Sequence, residues 1–161
     1  IAVEIKPDLV TLVPEKRQEL TTEGGLDVAG QKQYLKDVIE SFHSHKIPVS
    51  LFVDPDEAQI ETSRDIGTDV VEIHTGEYAE AKSQKDKRAQ LQRVKSMAKF
   101  GKSLGLGVNA GHGLDYANIK PIAAIEEIDE VSIGHAIIVR AMFVGLERAV
   151  KEMVRLVKRR R

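Results

Sequence analysis

An α/β fold built of parallel strands, of the TIM (β/α)8-barrel kind, is what the sequence predicts, on two observations. β-like runs alternate with helical stretches five times along the 161 residues, an order that implies parallel strands joined by right-handed crossovers. Each run also sets apolar side chains on one face against a polar or small residue on the other, namely Thr11, Ser50, Glu72, Asn109 and Ser132, because successive side chains of a strand point to opposite faces. An open sheet with helices on both sides would be apolar on both faces. Five strands sharing one polar face read instead as barrel staves, with the helices outside and a functional interior. A complete barrel takes eight units in ~250 residues. About five are accounted for, so about three are expected to precede Ile1, which is not an initiator methionine. No linker or low-complexity stretch interrupts the alternation, and residues 1–161 are expected to form a single partial barrel domain.

The elements follow in order. The first strand is the run LVTLV (9–13), closed by Pro14, whose missing amide hydrogen suits a strand end. EKRQELTTEGGLDVAG (15–30) is polar and carries a glycine pair; a loop of that length usually serves a function. Leu35, Val38, Ile39 and Phe42 fall at helical spacing within 31–46. Past Pro48 comes the second strand, VSLFVD (49–54). Asp54-Pro55-Asp56-Glu57 then offers a capping oxygen, an early proline and acids at the positive end of a helix. Both aspartates are read as caps, and Gly67 stops that helix. VVEIHTG (70–76) is the third strand, and a charged helix over 78–103 follows, with Leu91, Val94 and Ala98 on one face. GVNAGHG (107–113) is the fourth strand, a short helix covers 117–125, and EVSIGHA (130–136) is the fifth strand. The last helix, 138–158, packs through Leu146, Val150, Met153 and Val157.

Composition narrows the function. With 42% hydrophobic and 30% charged residues the chain is an ordinary globular one, and a net charge of −1 gives no reason to expect nucleic acid or a membrane surface as partner. The absence of cysteine excludes disulfides, thiolate nucleophiles and zinc–sulfur sites. No apolar run approaches the ~20 residues that span a bilayer, and IAVEIKPD lacks the pattern of a signal peptide; a cytoplasmic protein is expected.

The histidines carry the chemistry. Three of the five, His74, His112 and His135, stand where a β-like run gives way to glycine or a small residue. A histidine can give or take protons near neutral pH, and the glycines on either side of His112 let the chain turn tightly and leave room for a substrate beside the imidazole. Backbone amides in the last two strand-to-helix turns, AGHG and IGHA, form a common phosphate cradle in this type of fold. Glu72, an acid inside a strand, reads either as a fixed negative charge opposite a cationic intermediate or as a buried partner of a neighbouring stave. His74 is either its supporting partner or structural. The same histidines with Glu72 could ligate a divalent ion, as in a metal-dependent barrel hydrolase, but the close-spaced ligand pairs of such sites are absent.

Taken together, LVPEKRQELTTEGGLDVAG, VSLFVD, EIHTGEYA, VNAGHGLDY and IGHAIIVRAM resemble the pyridoxine 5′-phosphate synthase family across essentially the whole chain. The resemblance implies a (β/α)8 barrel that assembles into a homo-octamer. It implies condensation of 3-amino-2-oxopropyl phosphate with 1-deoxy-D-xylulose 5-phosphate to pyridoxine 5′-phosphate, phosphate and water, with no metal or organic cofactor. By the same resemblance His112 is the proton donor and Glu72 the carboxylate that stabilises transition states. Thr21 contacts the sugar phosphate, and Gly113, Gly134 and His135 contact the aminoketone phosphate. The family's proton-accepting His and Glu, an Asp-His pair and several arginines belong to strands expected before Ile1. An inactive fragment or scaffold is therefore the alternative reading of this chain.

Overall fold

A computed structural model describes residues 1–14 and 24–158. Its five strands are β1 (Val10–Leu12), β2 (Val49–Val53), β3 (Val70–His74), β4 (Gly107–Gly111) and β5 (Glu130–Ser132). They form one curled sheet in the order β1-β2-β3-β4-β5, every pair parallel. The helices are α1 (Ala2–Ile5), α2 (Lys32–Ser44), α3 (Glu57–Asp65), α4 (Gly76–Glu80), α5 (Gln84–Ser103), α6 (Ile119–Ala123), α7 (His135–Val144) and α8 (Leu146–Val157). Sequential parallel strands with helical crossovers make this an α/β fold, a partial barrel of five βα units.

The register fixes the two faces. Thr11 pairs with Ser50, Phe52 with Glu72, Glu72 with Asn109, and Gly111 with both His74 and Ser132. Residues paired across a parallel ladder point to the same side, so all five polar strand residues share one face, as expected. The opposite face is apolar: Val49, Leu51, Val53, Val71, Ile73, Val108 and Ala110 are all fully buried. Helix α5 lies directly on it; a β-carbon on Gly101 would sit 3.0 Å from Val108 and 3.6 Å from Val71. Ile39 of α2, Ile60 of α3, Val94 and Ala98 of α5, and Ile119 and Ile122 of α6 complete this core. Each such aliphatic side chain contributes about 1.5–3 kcal/mol by leaving water, so the helix-covered face holds the sheet and leaves the other face free for chemistry.

Two predicted helices are broken. The expected helix over 78–103 is α4 followed by α5, because Ser83 caps a new start: its Oγ accepts from the Asp86 amide at 3.0 Å and donates to the Asp86 carboxylate at 2.6 Å. The final helix begins earlier than expected, at His135, and breaks at Gly145, whose φ of 81° no helix accommodates. The third to fifth strands also stop short of their expected ends, at His74, Gly111 and Ser132. Consequently the three histidines are not at equivalent positions. His74 closes a strand, His112 lies one residue beyond one, and His135 is the first residue of a helix.

Candidate functional site

A cavity of about 600 Å³ opens at the carboxyl ends of the strands. Glu72, His112, Gly113, Gly134 and His135 line it, together with Phe52 and Ser132. Five of the six residues singled out in the sequence thus share one wall-to-wall space. The sixth, Thr21, lies outside the described residues.

Glu72 reaches this space from the middle of β3. Its carboxylate is 9% exposed and accepts a hydrogen bond from Ser132 Oγ at 3.0 Å. To reach β5 it passes over β4 at Gly111, where a β-carbon would lie only 2.2 Å from Oε1. Burial raises the proton affinity of Glu72, and the Ser132 hydrogen bond offsets part of that. A carboxyl so placed holds its proton to higher pH than a surface glutamate does.

His112 follows β4 with φ 79°, in the left-handed region that non-glycine residues seldom occupy. Thr75, fully buried, holds it there. The Thr75 hydroxyl stands 2.7 Å from the carbonyl of Gly111 and 2.6 Å from that of His112, its single hydrogen shared between the two acceptors, and the Thr75 amide also donates to Gly111 (2.9 Å). The half-buried imidazole packs edge-on against His74, with centroids 5.0 Å apart, and against Phe52 at 6.4 Å. Burial, and then the nearby His74, lower its proton affinity, while Glu80 acts in the opposite direction. His112 is thereby kept able to release a proton easily.

His74, the last residue of β3, is 8% exposed, and its Nδ1 hydrogen-bonds Asp54 Oδ1 at 2.8 Å. Asp54 is therefore not the cap it resembles. Asp56 is the cap of α3, accepting from the Gln59 amide, whereas Asp54 binds His74 and the Gly25 amide (3.1 Å). The His74 hydrogen bond, ahead of the Gly25 amide, holds the Asp54 carboxyl below the usual range against the effect of burial. Asp54 and Thr75 are the functional candidates the sequence reading missed. Neither has a local signal, since their partners lie 20 to 37 residues away.

On the far wall, Gly134 and His135 are exposed at the start of α7, and Gly113 is exposed just after His112. A β-carbon on Gly134 would touch nothing within 4 Å, so that turn is open to a ligand. Among the described residues no group of three or more His, Asp or Glu side chains is arranged to hold a metal ion, and no helix is long and apolar enough to cross a membrane.

A parallel sheet with ionisable groups and glycine turns gathered at its carboxyl end defines a barrel-type α/β protein with its site at that end. Within that class the chain belongs to the family described as "Pyridoxal phosphate biosynthesis protein PdxJ", whose family model matches residues 1–159. It is 54% identical to the pyridoxine 5′-phosphate synthase of Geobacter sulfurreducens over 98% of this chain and 66% of that protein. It is also 54% identical to the enzyme of the same name from Prochlorococcus marinus, over 98% of this chain and 64% of that one. The chain thus spans about two thirds of the length of the curated relatives it matches. The metal-dependent hydrolase reading gains nothing from either the site or these relatives.

Proposed function

We propose that this chain carries the proton donor and the aminoketone-phosphate site of a pyridoxine 5′-phosphate synthase. The observation that carries the reading is the single cavity shared by Glu72, His112, Gly113, Gly134 and His135, in a chain 54% identical to proteins of that name. The substrates are 3-amino-2-oxopropyl phosphate and 1-deoxy-D-xylulose 5-phosphate. Their amine and carbonyl join as a Schiff base, and loss of water and phosphate with ring closure gives the pyridine. Each stage moves protons among carbon, nitrogen and oxygen.

In this reading the backbone amides at Gly113 and Gly134, with His135, receive the aminoketone phosphate, and exposed amides at a strand-to-helix turn suit an anion. His112, its proton loosely held, protonates the departing oxygen. Glu72 faces the iminium nitrogen, where a fixed carboxylate stabilises developing positive charge. Thr21 contacts the sugar phosphate. No metal or organic cofactor takes part. The working protein is a cytoplasmic homo-octamer; the exposed apolar side chains of α7 and α8, Met142 and Phe143 foremost at 81% each, support an assembly that covers them.

Calorimetry with 3-amino-2-oxopropyl phosphate tests the chain directly. One site per chain is expected, weakened by His135→Ala and competed by inorganic phosphate; no binding would overturn the reading. In a polypeptide spanning the full length of the relatives, His112→Asn should lower pyridoxine 5′-phosphate formation by ~10²–10⁴-fold and change substrate binding far less. Asparagine tolerates the left-handed backbone of that position, so the fold should survive. Turnover within a few-fold of the parent would remove His112 from the role of donor.

A further inference from the structure

We propose that Asp54 and His74 form a positioning pair that holds the ring of His112 in its working orientation. The inference rests on the reading of His112 as proton donor, but its test does not use the reaction.

His74 is packed inside the site end of the sheet, with one ring nitrogen tied to Asp54 at 2.8 Å. A carboxylate can only accept, so in the neutral ring the hydrogen sits on Nδ1 and Nε2 keeps a bare lone pair. That Nε2 is buried with no hydrogen-bond partner. An unsatisfied buried polar atom costs about 1–3 kcal/mol, and a leucine or phenylalanine would fill the space without that cost.

Nε2 lies against Gly76, where a β-carbon would stand 2.4 Å from Nε2 and 3.3 Å from Cδ2 of His112. The glycine at 76 thus leaves a slot in which the two imidazoles converge. Their planes meet at 64°, and Phe52 closes the group, 5.1 Å from His74. His112 is held by three things: Thr75 fixes its backbone, Phe52 backs its ring, and the ring of His74 sets its tilt. His74 in turn is fixed by Asp54, and Asp54 by the Gly25 amide. The chain of contacts runs from the loop before α2, through β2 and β3, to the group that moves the proton.

The titratable groups around His112 are His74 and Glu72 on β3, Asp54 after β2, Glu80 on α4, Asp115 in the turn that follows, and His135 on α7. Of these His74 makes the closest ring contact, and its charged form opposes a second charge on His112. Asp54 holds the His74 ring in the place where it meets His112, so one carboxylate two contacts away sets the position from which His74 acts on His112.

The test is ring nitrogen–proton correlation spectroscopy of the ¹⁵N-labelled 161-residue chain across the pH range where histidine titrates. In the parent protein His74 should show a protonated Nδ1 and an unprotonated Nε2, the reverse of the form free imidazole side chains favour. Asp54→Ala should abolish that preference, and Asp54→Asn, which keeps an acceptor, should retain it. His74→Asn keeps a donor toward Asp54 without an ionisable ring, and His74→Phe keeps a ring. In both, the His112 titration midpoint should move upward. A parent His74 carrying its hydrogen on Nε2 would overturn the proposal, and that measurement needs no variant to fold. A His112 midpoint unmoved in both His74 variants, each with a native-like amide spectrum, would overturn it as well. Failure of the chain to bind aminoketone phosphate would instead count against the synthase reading and leave these spectra unaffected.

Discussion

The two walls of the cavity are built differently. On the β3–β4 wall every strand residue after the first is buried, and Glu72, His74 and His112 are each fixed by a partner on another element. On the β5–α7 wall the strand exposes Glu130 and Ser132, α7 buries no residue, and Gly134 and His135 face outward. The groups read as handling protons sit in a packed, water-poor setting that shifts their proton affinities. The groups read as receiving phosphate are backbone amides and an exposed imidazole, which need access more than packing. One wall should therefore be intolerant of small changes and the other indifferent to them.

The largest effect should come from Gly111→Ala. Its β-carbon would fall 2.2 Å from Glu72 Oε1 and 3.1 Å from the Ser132 β-carbon, and overpacking of this kind costs about 1–3 kcal/mol. Denaturant unfolding measures it, and a loss below about 0.5 kcal/mol would mean that this wall yields easily. Thr75→Val comes next. It keeps the shape but removes the hydroxyl donor, leaving the Gly111 carbonyl with the Thr75 amide alone and taking the donor from the carbonyl of the strained His112, for about 1–2 kcal/mol, again read from unfolding curves.

The third prediction uses pH. Glu72 binds its proton more tightly folded than unfolded, so its contribution is full below the unfolded value and is lost as pH rises through the raised folded value. Glu72→Gln removes that loss. The variant should gain on the parent as pH rises above the ordinary glutamate range. Asp54 has the opposite sign: its contribution is present above the unfolded value and lost as pH falls through the depressed one. Asp54→Asn should therefore narrow its gap to the parent on acidification. Parallel stability–pH profiles for both variants and the parent would contradict both shifts. The smallest effect belongs to the other wall. Gly134→Ala, with nothing within 4 Å of the new carbon, should change stability by no more than about 0.5 kcal/mol.

The same contrast explains what could be read in advance. Alternation around Glu72 placed it on the inner face because a strand's period is a local property, and the glycines around His112 and His135 marked the two turns. The cavity gathers what those patterns pointed to. The local pattern misled at Asp54, since Asp-Pro-Asp-Glu fits a helix start with either aspartate as cap, and only a strand 20 residues on decides between them. Thr75 gave no signal because its role is to reach carbonyls on the next strand. The helix breaks were within reach: Ser83 stands three residues before Asp86, and Gly145 interrupts the last helix. The three histidines looked alike because composition at strand ends is similar, whereas register sets them at different depths.

The hydrogen bond from Ser132 to Glu72 spans 60 residues and steps over an intervening strand. Its consequence is temporal. The strand pairs join neighbours along the chain, so β1 through β4 can dock in succession as the polypeptide emerges. Until β5 arrives, Glu72 waits above Gly111 without its Ser132 donor, and contacts of such long separation form late. The acid at the centre of the site is thus completed by the fifth of the five described strands, and a nascent chain halted before Ser132 would leave Glu72 without that donor.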